Sequence, residues 1–96
     1  YARYTAEGYL YETVVYNEET GLYEQTRYSV DENGGTYTTT LYEKNNGWAN
    51  LSGHKGVKET GTVSRGEEDN WVLSNGSEVP SSSNCSVMTR KDAYCK

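Results

Sequence analysis

"GYLYETVVYNEETGLYEQTRYSV", residues 8–30, carries five tyrosines and neither phenylalanine nor isoleucine. Its large side chains alternate with polar ones at period two, the spacing that puts one class on one face of a strand. Asn17 to Gly21 interrupts the alternation with turn formers, and Gly21 is free to take the positive φ that a tight connection needs. The following stretch, "DENGGTYTTTLY" over residues 31–42, repeats the device, with Asn33-Gly34 suited to a type I′ hairpin turn. Three antiparallel strands joined by two short turns are therefore expected at the N-terminus.

These turns fix a register. With Glu18-Glu19 at the centre of the first turn, Val15 faces Leu22, Tyr11 faces Thr26 and Tyr9 faces Tyr28. With Asn33-Gly34 as the second, Val30 faces Tyr37, Tyr28 faces Thr39 and Thr26 faces Leu41. Both turns place Tyr9, Tyr11, Val15, Leu22, Tyr28, Val30, Tyr37 and Leu41 on one face, which is the expected core face. The other face takes Leu10, Glu12, Val14, Tyr16, Tyr23, Gln25, Arg27, a Thr36, Thr38, Thr40 stripe and Tyr42.

Further strands are expected near residues 47–51, 56–64, 70–74 and 86–90, in addition to 8–16, 22–30 and 36–43, with helix nearly absent. Seven short strands in a 96-residue chain predict a single all-β domain, a small antiparallel β-sandwich or barrel built on the N-terminal three-stranded meander. Residues 73–84, with the only proline and a serine run, read as a surface loop.

Composition explains the choice of tyrosine. Leu and Val number 13 of 96 residues, with no Ile or Phe, so ten Tyr and two Trp must supply the apolar area of the core. The net charge of −5 lies wholly in residues 1–48, which hold eight acidic and three basic side chains and nine of the ten tyrosines. An acidic sheet repels phosphate, which argues against nucleic acid and anionic membrane surfaces as partners. No run of apolar residues exceeds three, so no helix of this chain could span a bilayer.

Cys85 and Cys95 are the only cysteines. Their spacing lacks a zinc-site pattern and suits a disulfide closing a short C-terminal loop, which implies an oxidising compartment. The chain opens on Tyr1 and carries three sequons, at Asn50, Asn75 and Asn84, so a secreted, extracellular protein is expected.

Four groups of residues are candidates for function. Tyr16, Tyr23 and Tyr42 beside Arg27 on the second sheet face would form an aromatic patch of the kind that anchors protein partners. Trp48 and Trp71 each follow a turn-forming residue, and could either centre the core or stack on a sugar. His54, the only histidine, sits between glycines in "SGHKG" and reads as a loop residue; with Glu59 or Glu67 and Arg65 it offers the residue types of a small ribonuclease. Glu67 to Asn70 groups four oxygen-bearing side chains that could form one arm of a calcium site, or a solvated acidic turn. No P-loop, GxSxG, HExxH or CxxC motif appears, and no cofactor is expected. The leading expectation is a small secreted non-enzymatic binding protein, like an effector, toxin or inhibitor, acting through its tyrosine-rich face and loops. The alternatives are a carbohydrate-binding module using surface Trp and Tyr, and a secreted ribonuclease using His54.

Overall fold

The computed structural model of the chain describes residues 1–47, 50–81, 87–89 and 92–95. It is all-β. The strands are β1 (Ala2–Thr5), β2 (Leu10–Asn17), β3 (Leu22–Asp31), β4 (Gly34–Asn45), β5 (Leu51–Arg65), β6 (Trp71–Leu73), β7 (Glu78–Val79), β8 (Val87–Thr89) and β9 (Asp92–Cys95), with one 3-10 turn at Glu67–Asp69. They form one antiparallel sheet in the order β7-β6-β5-β4-β3-β2-β1-β9-β8. Strands β1 to β7 are thus a continuous meander, to which the β8-β9 hairpin adds beside β1.

The sheet is curled into a half-barrel. Laid flat, β7 and β1 would stand about 29 Å apart, six strand spacings. Yet the Tyr4 hydroxyl of β1 donates to the carbonyl of Pro80, the residue after β7. The curl brings Tyr4 and Leu10 from one side of the sheet into a single core with Trp71 and Leu73 from the other, over Tyr28, Tyr37 and Val63. Among the described residues no helix is long and apolar enough to cross a membrane.

The N-terminal meander forms as expected, with both registers displaced by two residues. Val15 faces Glu24, and Tyr28 faces Tyr37. In the first turn the Asn17 side chain accepts from the amides of Glu19 (2.9 Å) and Thr20 (3.3 Å), and Gly21, at φ 72°, returns its own amide to the Asn17 carbonyl. In the second, the Asp31 carboxylate accepts from the Asn33 amide at 2.8 Å, so the turn centres on Glu32-Asn33 and the positive φ falls on Gly34 alone. A side chain that captures its own turn outweighs the intrinsic I′ preference of Asn-Gly. Because the displacement is even, every side chain keeps its face.

A β-bulge in β2, opposite Arg3 and Tyr4, changes the rule for two residues. Leu10 swings into the core, fully buried, and Tyr11 instead packs beneath the Arg3 guanidinium, 4.8 Å from the ring centroid. An extra residue in one strand shifts the alternation that precedes it, which is why the sequence pattern assigned both to the wrong face. Val15, assigned to the core, is 58% exposed, because the curl leaves that end of the concave face open. The segment 52–56 is not a loop; it belongs to β5, whose Gly53 (φ 77°) and Gly56 (φ 116°) take left-handed backbone beside irregular pairing with β4. Residues 78–79 of the expected 73–84 loop form β7. Cys85 lies outside the described residues, so its pairing with Cys95 rests on the sequence.

One carboxylate is buried on the outer face. Glu12 is 1% exposed, and its oxygens accept from Arg3 Nη1 (2.9 Å), the Tyr1 hydroxyl (3.0 Å) and Gln25 Nε2 (3.0 Å), with Arg27 Nε at 3.5 Å. Burial, and then the negative charge of Glu12, push the Tyr1 hydroxyl well above its ordinary value. Since removing one member of a buried ion pair strands the other, Glu12→Ala is expected to lower unfolding free energy by about 3 kcal/mol. Urea denaturation measures this, and a loss below about 1 kcal/mol would show that the cluster contributes no more than a surface pair.

The core tyrosines also make the fold sensitive to base. Burial raises Tyr4 from 10.0 to about 12, and burial raises Tyr28 and Tyr37 in the same direction. A folded pKa above the unfolded one means that stability is fully present below pH 10 and drains as pH climbs towards 12. Absorbance at 295 nm should therefore show a late ionisation step, coincident with loss of β circular dichroism. A single step near pH 10 for all the tyrosines would contradict this assignment.

Candidate functional site

The outer face of the meander carries a row of rings. Tyr16 of β2 pairs with Tyr23 of β3, Tyr23 with Tyr42 of β4, and Tyr42 with His54 of β5. Strand propensity places Tyr at these alternate positions, and the even displacement of both turns aligns them across neighbouring strands. Tyr16 and Tyr23 rings lie 4.9 Å apart at 48°, and His54 meets Tyr42 edge-on at 5.5 Å and 83°. Tyr16 is half exposed, Tyr23 and Tyr42 are half-buried and His54 is exposed.

Sequence reasoning assembled the three tyrosines and missed His54. The flanking glycines suggested a flexible loop, whereas they serve irregularities within β5: the pairing jumps from Leu41–Gly56 to Tyr42–His54, which turns the imidazole onto the outer face opposite Tyr42. No short-range pattern announces such a bulge. Arg27 stands apart from the row. It pairs with Thr38, four residues along β3 from Tyr23, or about 13 Å at strand rise, and its guanidinium turns to Glu12.

The other candidates separate as well. Trp71 is fully buried, with the Arg65 guanidinium 3.9 Å from its ring centroid, so it is a core residue and presents no face to a sugar. Trp48 lies outside the described residues. The ribonuclease residues do not converge. His54 faces outward, Glu59 lines the concave side and accepts the Tyr37 hydroxyl at 2.8 Å, and Arg65 lies eleven residues further along β5, where it donates to the Asp69 carbonyl at 3.0 Å. Glu67 turns with its neighbours into a tight loop, closed by Gly66 N to Asn70 O (2.8 Å), with Glu68 and Asp69 in left-handed backbone. Among the described residues, no group of three or more His, Cys, Asp or Glu is placed to hold a metal ion.

Chemically, the row offers contact area and hydroxyl groups, with no nucleophile and base in partnership. Tyr16 and Tyr23 pack against each other at a tilt, so the pair presents a ridged surface. The chain matches no protein-family model, no curated protein and no solved structure.

The row should be separable from the fold. Tyr23→Ala and Tyr42→Ala are expected to unfold cooperatively, and a double-mutant cycle on Tyr16 and Tyr23 should return a coupling of about 0.5 kcal/mol. Zero coupling in urea titrations would mean that the two rings do not pack in solution.

Proposed function

We propose that this chain is a non-enzymatic binding protein, akin in role to small secreted effectors, toxins or inhibitors, and that it docks a protein partner on the Tyr16–Tyr23–Tyr42–His54 row. The observation that carries the reading is the alignment of four rings from four successive strands on one outward face. Tyrosine brings large amphipathic area at small entropic cost, and clusters of such residues dominate binding energy at protein interfaces. Glu18 and Glu19 are exposed in the turn next to Tyr16, and the negative charge of the whole chain resides in this half, so the complementary surface is basic. The extracellular setting suggested by Cys85 and Cys95 belongs to the same proposal.

Two observations favour a protein over the alternatives on this face. The Tyr16 and Tyr23 rings are tilted 48° to each other, so together they form no coplanar platform for a glycan, and His54, Glu59 and Arg65 are dispersed over two faces and the length of β5.

The test is affinity capture with the wild-type chain and with a Tyr16→Ala/Tyr23→Ala/Tyr42→Ala triple variant, followed by titration of the purified captured protein. Binding that weakens at least a hundredfold in the triple variant, about 2.8 kcal/mol at 1.4 kcal/mol per decade, and a hydrogen-exchange footprint over β2 to β5, would bear the reading out. A partner that binds both forms equally would remove it.

A further inference from the structure

On the side opposite the ring row, the curled sheet encloses a groove of about 480 Å³, within the usual range of about 300 to 1,000 Å³ for small-molecule sites. Its floor is a cross-strand row of Thr13, Thr26, Thr39 and Glu59, one residue from each of β2, β3, β4 and β5, with Tyr28 beside them. Hydroxyl and carboxylate groups stand in this floor, while Tyr4, Leu73 and Val79 give the rest of the lining an apolar surface.

Thr13 and Tyr28 share one hydrogen bond at 3.0 Å, and Thr26 and Thr39 share one at 2.7 Å, with Tyr28 also drawn to Thr26. Even with all three links made, four hydroxyls hold four protons, so among the described residues at least one O–H of this set, all of whose members line the groove, has no acceptor within it. These residues are 9% exposed or less, and a buried donor without an acceptor is unfavourable.

The carboxylates have the opposite surplus. Glu24 takes both Asn17 Nδ2 (3.1 Å) and Lys58 Nζ (3.0 Å) on Oε2. Glu59 likewise takes the Tyr37 hydroxyl (2.8 Å) and Asn75 Nδ2 (3.3 Å) on Oε2. Among the described residues, Oε1 of each has no hydrogen-bonded donor. Burial alone would raise the Glu24 carboxyl, but the bonds from Asn17 and Lys58 and the Lys58 charge bring it below the ordinary range, so it is anionic at neutral pH.

The groove lining therefore combines hydroxyl donors in its floor with two carboxylate acceptors. A ligand that answers both must donate and accept within a few ångströms, which is the property of neighbouring hydroxyls on a ring. An organic cation would satisfy the carboxylates and leave the floor donor unused, and Lys58 already balances Glu24. An apolar ligand would satisfy neither.

We propose that the concave groove is a binding site for a small neutral saccharide, whose hydroxyls donate to Oε1 of Glu24 and Glu59 and accept from the Thr13–Tyr28–Thr26–Thr39 chain. It is independent of the outward ring row and stands whether or not that row binds protein.

Saturation-transfer NMR and calorimetry on the full chain test it, with the methyl glycosides of glucose, galactose, mannose and N-acetylglucosamine as probes and 1,4-diaminobutane as the cationic comparison. At least one glycoside should bind saturably. Glu24→Gln and Glu59→Gln should each weaken it tenfold or more, whereas Tyr23→Ala on the opposite face should leave it unchanged. Circular dichroism establishes that each variant is folded; should Glu59→Gln fail to fold, Glu24→Gln at the half-buried end of the groove decides. Absence of binding by all four glycosides, binding that the folded Gln variants leave unaltered, or binding of the diamine alone would each overturn the proposal.

Discussion

A buried tyrosine must find a partner for its hydroxyl, and this requirement shapes the whole molecule. With no phenylalanine or isoleucine, the chain closes its core with rings that each carry a polar end. Tyr4 reaches the Pro80 carbonyl across the curl, Tyr28 shares a hydrogen bond with Thr13, and Tyr37 donates to Glu59. Leaving any of these hydroxyls unpaired would cost about 1 to 3 kcal/mol, a large share of the stability of a domain this size. The sheet has to curl far enough for the first bond to form, and its inner face has to carry threonine and glutamate for the others. Among the described residues the Trp71 indole N–H is buried without a hydrogen-bond partner, although the Arg65 guanidinium lies over the ring.

Polar groups within an otherwise apolar inner face follow from a tyrosine core. In an aliphatic half-barrel the concave side fills with Leu, Ile and Val and closes. Here the residues that satisfy the core hydroxyls also line an open groove, so the chemistry that holds the fold together and the chemistry available to a ligand are the same. The outer face divides by a similar rule. Glu12, Val14 and Gln25 are buried there around a carboxylate with two arginine neighbours, while the ring row from Tyr16 to His54 remains accessible beside them. Two faces of one sheet thus carry different surfaces, one concave with hydroxyl and carboxylate groups in its floor, one ridged and aromatic.

Bulges decide where individual side chains go. The irregularity opposite Arg3 and Tyr4 turns Leu10 inward. Those between β4 and β5 bring Lys58 to Glu24, direct Glu59 to the groove and set His54 opposite Tyr42 on the outside. An extra residue in one strand shifts the alternation locally and increases twist, so the same insertions that aim these groups also help the sheet to curl.

The period-two alternation of residues 8–42, with its turn formers, determined the all-β class, the N-terminal meander and the faces of Tyr16, Tyr23, Tyr28, Tyr37 and Tyr42, because strand alternation and turn chemistry are local properties. An even slip in both registers left those faces intact. Strand β1, the inward turn of Leu10, the burial of Trp71, the membership of His54 in the ring row and the groove were decided only by the tertiary structure. Each depends on where the sheet curls and where a strand bulges, and those follow from pairing between residues far apart in the chain. A single run of sequence contains no local signal for the hydroxyl of residue 4 meeting the carbonyl of residue 80.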